Sequence, residues 1–148
     1  MVPAAGPLQK RGSSPRPAGW PHPRSRGPRS LTGVITGLDH VQVAAPPGCE
    51  AEARAFYGTL LGLEERAKPA SLAARGGMWF GWLHVGVARD FVPATKAHPA
   101  LRVTDLDALA ERLVTAGVEV RWDDELPDVA RFYADDPWGN RLEFMAAP

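Results

Sequence analysis

Two histidines stand at corresponding points of an internal echo in the chain, and a glutamate closes its second copy. His40 opens Gly37-Leu38-Asp39-His40-Val41-Gln42-Val43, and His98 opens Ala97-His98-Pro99-Ala100-Leu101-Arg102-Val103, each followed by a helix pattern. The second copy closes with Asp135-Asp136-Pro137-Trp138-Gly139-Asn140-Arg141-Leu142-Glu143-Phe144. In Arg141-Leu142-Glu143-Phe144-Met145 the apolar Leu142 and Phe144 require the helix-packed face, so Glu143 points the other way. A carboxylate facing inward is costly unless it is paired, hydrogen-bonded or metal-bound. Two imidazoles and one carboxylate form the facial set that leaves open positions on Fe(II) and also suits Mn, Ni, Zn or Co. A cation so held can bind two neighbouring substrate oxygens and stabilise an enolate-like anion as a Lewis acid. The bland alternative is a hydrogen-bonded constellation lining a cavity for an organic ligand.

The elements that must position these groups are readable from periodicity. Each histidine heads an alternating stretch, with Val41/Val43 or Pro99/Leu101/Val103 on one face and His40/Gln42 or His98/Ala100/Arg102 on the other. That alternation predicts half-buried strands over 34–44 and 97–103. A helix is predicted over 50–61, with Ala53, Phe56, Leu60 and Leu61 as its apolar stripe and Gly62 as its stop. A short strand over 64–68 and an aromatic-rich segment over 78–87 complete the first copy. That segment holds a hairpin with Gly81 as its only turn-former, so it reads as trimmed and as a place where the cavity opens or distorts. In the second copy a helix over 106–116 follows, with Thr104 as N-cap, Leu106, Leu109 and Leu113 as stripe and Gly117 as stop. Strands are predicted over 118–122, 129–134 and 140–145, the last two joined by the Asp136-Pro137-Trp138-Gly139 turn. The order is βαβββ twice, in modules 34–88 and 97–147. With helices on one face of curved, mixed sheets, the class is α+β and the modules enclose one barrel-like cavity.

Composition narrows the partners. The formal charge of zero conceals a division: residues 1–33 hold six basic residues and no acid, leaving the rest of the chain near −6. An acidic body argues against nucleic acid as the ligand of the folded part. The first 33 residues carry seven prolines and five glycines, so they are expected to be a disordered tail or a start called too early. They lack the apolar core of a secretory signal. A single cysteine, Cys49, excludes an internal disulfide framework and fits a reducing, cytoplasmic setting. It reads as a helix-entry residue, not a nucleophile. No apolar run approaches the roughly 20 residues that span a bilayer.

The doubled βαβββ order, the strand-opening histidines, Phe56-Tyr57…Leu60-Leu61-Gly62-Leu63 and Asp136-Pro137-Trp138-Gly139-Asn140-Arg141-Leu142-Glu143 resemble the vicinal oxygen chelate superfamily over about residues 34–148. That group includes glyoxalase I, the bleomycin resistance proteins, fosfomycin-modifying enzymes and the type I extradiol dioxygenases. The resemblance implies metal ligands on the first, fifth and eighth strands, which carry His40, His98 and Glu143. It also implies a homodimer, and open sheet edges are a physical motive for pairing. Glyoxalase I-like members usually place a carboxylate on the fourth strand, where this chain has His84; that departure puts the glyoxalase reaction in doubt. The arrangement resembles instead the extradiol enzymes, whose acid/base histidine precedes the fifth-strand ligand and whose tyrosine precedes the last-strand glutamate. Those roles fall on His84 and Tyr133, against the alternative that His84 is a satisfied cavity residue and Tyr133 ordinary packing. Arg102 and Arg141 either salt-bridge acids or hold an anionic substrate group. Two function classes follow: a divalent-metal enzyme on a small oxygenated metabolite (lyase, isomerase or ring-cleaving dioxygenase), or a metal-free small-molecule-binding protein of the bleomycin-resistance type.

Overall fold

A computed structural model describes residues 35–126 and 128–147, and the predicted tail lies outside them. The first module contains β1 (Val41–Ala45), α1 (Glu50–Ala53) continued by a π-helical segment (Arg54–Leu60), β2 (Glu65–Arg66), a one-turn α2 (Ala70–Ala73), β3 (Met78–Phe80) and β4 (Leu83–Val87). The second contains β5 (Ala100–Val103), α3 (Leu106–Thr115), β6 (Arg121–Asp123), β7 (Arg131–Asp135) and β8 (Arg141–Ala146). Each module forms a four-stranded mixed sheet, in the order β1-β4-β3-β2 or β5-β8-β7-β6. The outer pairs β1–β4 and β5–β8 are parallel and the remaining pairs antiparallel. The class is therefore α+β with two βαβββ modules, as the periodicity predicts.

Both strand-opening histidines sit just before their strands and not within them. The parallel ladder of β1 begins at the pair Val41↔Leu83 because β4 itself begins there, straight after its turn. In β5 the ladder begins after Pro99, which has no N–H to donate. The helix predicted over 50–61 is present, but most of it is π-helical, and Tyr57 is buried beside Phe56. The cap of α3 is Asp105, one residue later than predicted; its carboxylate accepts from the Ala108 N–H at 2.9 Å.

The short hairpin resolves without distortion. Phe80 pairs with Leu83 across a two-residue turn, with Gly81 at φ +60° and no positive φ at Trp82. Glycine at the first central position is what a type II′ turn requires. His84 keeps register partners on both sides, Gln42 and Trp79. Gly77 marks a tighter constraint: at φ +79°, a Cβ there would stand 2.2 Å from the Val85 carbonyl oxygen. Only glycine allows this approach.

One apolar core joins the modules. The helix-facing residues Phe80, Leu83 and Val85 of the first sheet and Phe132, Leu142 and Phe144 of the second lie in the same cluster as Ala53, Phe56, Leu106 and Leu113. A buried polar clasp crosses this core. Asp136 accepts from the Tyr57 hydroxyl at 2.8 Å, the Asn140 side-chain amide at 2.7 Å, and the backbone N–H groups of Asn140 at 2.8 Å and Trp138 at 3.0 Å. The Asn140 amide also donates to the Ala44 carbonyl at 2.8 Å, and its oxygen accepts from the Ala94 N–H at 2.9 Å. Burial first, then the Asp136 charge, pushes the Tyr57 phenol far above its ordinary range, so it remains a donor. Tyr57→Phe should lower stability by about 1.5–3 kcal/mol, the cost of removing a hydrogen bond from a buried charged group. Urea unfolding followed by circular dichroism reads this directly; an unchanged midpoint would show that the clasp is dispensable.

Candidate functional site

The candidate residues lie on the sheet faces opposite the core. On the first sheet Leu83 and Val85 are buried in the core, so His84 and its neighbour Trp79 turn outward from it. His84 is sandwiched between rings: Trp79 stacks on it at 4.4 Å and 8°, and His40 at 4.3 Å and 21°. The His40 Nδ1 lies 2.7 Å from the Asp39 carboxylate. Burial, and secondarily the His40 charge, holds the His84 imidazole below the usual histidine range. It is therefore neutral near pH 7 and able to accept a proton.

The second sheet carries a charged cluster. His98 Nδ1 lies 2.7 Å from the Lys96 carbonyl oxygen, which only accepts, so Nδ1 bears the proton. Nε2 faces the Glu143 Oε2 at 3.1 Å. A neutral His98 would thus aim a lone pair at a carboxylate. Either a second proton on the ring or a cation between the two groups satisfies this contact. Glu143, 6% exposed, is also bound through Oε1 by the Arg131 guanidinium at 3.0 Å. Arg131 in turn holds Asp123 through Nε at 2.9 Å and Nη2 at 2.7 Å. Tyr133 stands opposite Glu143, with its ring edge-on to His98 at 5.5 Å. Burial and the Glu143 charge raise the Tyr133 pKa, which keeps its hydroxyl a donor at neutral pH.

The five predicted site residues therefore divide into two groups. The structure brings His98, Glu143 and Tyr133 together, and separately His40 and His84. Among the described residues no three His, Cys, Asp or Glu side chains converge so as to hold a metal ion. The donor pair His98/Glu143 suits a divalent cation in chemistry and approach, but among the described residues of one chain it lacks a third donor. Sequence reasoning missed Arg131 as the partner of Glu143, although it lies two residues from Tyr133 on the same face. It also missed Trp79 as the platform under His84. A groove of about 840 Å³, lined by Phe56, Leu60, Val118 and Pro137 among others, includes none of the candidate residues.

The family model described as a glyoxalase-like domain matches residues 43–145. A solved structure of a protein assigned to the glyoxalase family from Bacillus anthracis is 52% identical, with a TM-score of 0.74, covering 77% of this chain and 97% of its own. A glyoxalase/dioxygenase from Nostoc punctiforme is 18% identical, with a TM-score of 0.64 and coverage of 84% and 99%. The fosfomycin resistance protein FosX from Listeria monocytogenes is 19% identical, with a TM-score of 0.61 and coverage of 77% and 95%. The last two likenesses concern the fold alone. Among curated proteins none matches significantly.

The ring sandwich makes a direct prediction. In an NMR titration His84 should protonate below the ~6.5 of an unperturbed histidine. Trp79→Ala, by re-exposing the ring, should move the midpoint upward, and His40→Ala should do so by removing a neighbouring charge. A His84 midpoint at or above the ordinary value in the native chain would contradict the stacked, desolvated environment.

Proposed function

Because the chain belongs to the glyoxalase-like domain family of the vicinal oxygen chelate superfamily, we propose that it is a divalent-metal-dependent enzyme acting on a small oxygenated metabolite. The observation that carries this reading is the approach of the His98 Nε2 to the Glu143 carboxylate at 3.1 Å, with the opposite ring nitrogen already committed to Lys96. His98 and Glu143 would hold the cation, and His40 would complete the set from a second copy of the chain in a homodimer. Two facts support the shared site. His40 is apart from the other two within one chain, and each sheet has its candidate residues on the face away from the core. A two-fold dimer generates two equivalent sites from these halves.

A divalent cation there supplies Lewis-acid polarisation of neighbouring substrate oxygens. The chain's own groups do the rest. His84, neutral and desolvated, accepts a proton from the substrate and returns it. The Tyr133 hydroxyl donates a hydrogen bond to a substrate oxygen and is held beside the ligands by its contact with His98. Trp79 and His40 fix the plane of His84 and keep water from its faces.

A second reading has its own observation. Arg131 already neutralises Glu143, and the Trp79–His84–His40 stack is a ready aromatic wall, as a metal-free small-molecule-binding protein needs. Metal analysis of protein purified without a His-tag separates the two. The enzyme reading expects about one ion per chain, lost in His98→Ala and Glu143→Ala. Metal that stays substoichiometric after addition of Fe, Mn, Ni, Zn or Co would leave the binding reading. Co-expressed His40→Ala and His98→Ala chains should regain metal only in the mixed dimer, which carries one intact shared site. His84→Ala should keep the metal and lose about 10²–10⁴-fold in rate; loss of metal instead would make His84 a ligand.

A further inference from the structure

On the outward face of the second sheet Arg121 and Arg131 are committed to acids and Arg102 to the Ala146 carbonyl, which leaves Arg141 beside the metal-ligand candidates. Arg131 is bound to Asp123 and Glu143, and Arg121 to Asp135 at 2.6 Å. Arg141 is the register partner of Asp135 on β8, yet that carboxylate is taken by Arg121. Among the described residues Arg141 makes no salt bridge and no side-chain hydrogen bond. Its Nε is shut away from solvent without a partner, while its terminal nitrogens are not shut away. A buried donor left unmade costs free energy, and such groups in native proteins call for a partner.

The guanidinium is nevertheless held in place. Its carbon lies 5.3 Å from the centroid of the Tyr133 ring, which the Arg131 guanidinium also approaches, at 5.6 Å. Stacking on an aromatic face orients the fork and limits the order lost on binding. Arg141 lies two residues before Glu143 on one strand, hence on the same face and about 6.6 Å away along the strand. Glu143 does not need it, being held by the Arg131 guanidinium. The result is an oriented, uncommitted cation one pleat from the atoms that would bind metal.

Resting on the proposed site at His98 and Glu143, we infer that Arg141 is the specificity-determining residue of that site. Stacked on Tyr133 and lacking any acid partner, it receives a carboxylate or phosphoryl group of the substrate. The substrate class is then a small oxygenated acid, with its anion on Arg141 and its reacting oxygens toward His98 and Glu143. A planar guanidinium takes two oxyanion oxygens at once, which a point charge cannot do.

Pyruvate and inorganic phosphate serve as probes, titrated calorimetrically into the full chain at constant ionic strength. Both should bind, and Arg141→Gln should weaken them about 10- to 100-fold, as expected for lost charged hydrogen bonds. Arg141→Lys, keeping charge but not the fork, should fall between. Metal content should stay unchanged in both variants. Independently of any variant, the Arg141 Nε–H resonance of the native chain should shift on adding phosphate. Native-strength binding by a folded Arg141→Gln, absence of binding to the native chain, or a resonance that does not move would each overturn the inference. Should metal fail to bind while Arg141-dependent anion binding persists, the metal reading falls and this one stands.

Discussion

A carboxylate with almost no water around it holds the two modules in place. Asp136 is 5% exposed, and four donors surround it, drawn from the β7–β8 turn and from Tyr57 in the first helix. Removing any donor leaves a buried charge short of compensation, which is more costly than losing an ordinary hydrogen bond. Asn140 extends the same network to the Ala44 carbonyl on β1 and to the Ala94 N–H in the inter-module segment. Three separate stretches of the chain thereby take their position from one turn. The apolar cluster supplies most of the driving force, but it is non-directional. The polar network determines how one module lies on the other, and so which faces of the two sheets are left uncovered.

Those uncovered faces differ in chemistry. The first sheet offers aromatic and imidazole rings stacked on one another. The second offers alternating guanidinium and carboxylate groups bridged in a chain, Asp123–Arg131–Glu143–His98. In the proposed shared site, a cavity assembled from one of each would have a proton-accepting wall and a charged wall.

Much of the fold is legible in the sequence because its signals are local. The alternation of Leu83-His84-Val85 and of Leu142-Glu143-Phe144 assigns each side chain to a face, and the structure agrees at all six positions. The α3 stripe is likewise buried at Leu106 and Leu113. What escapes sequence reading is non-local. Nothing near Tyr57 announces Asp136, 79 residues away, and Arg131 becomes the partner of Glu143 only through the β7–β8 register. The strand starts were misplaced for a similar reason, since a parallel ladder begins where its distant partner begins. The candidate ligands were legible as residue types on faces. Their division into two groups was not, because alternation says which face a side chain takes and nothing about which sheet lies opposite.

The two copies of the echo are unequal at one place. Where the second copy has the Asp136–Asn140 turn, the first has only Gly81 and Trp82 between its strands. The clasp is therefore present once, close to the end of the described chain, while the elements it grips, at Ala44 and Tyr57, come early. Such contacts of high sequence separation form late, because a long loop must close before they reward it. During synthesis the first module is made in full before its partner carboxylate exists. Its apolar helix face must then wait, uncovered, for the last two strands, which makes that interval the point at which this chain is most exposed to misassociation.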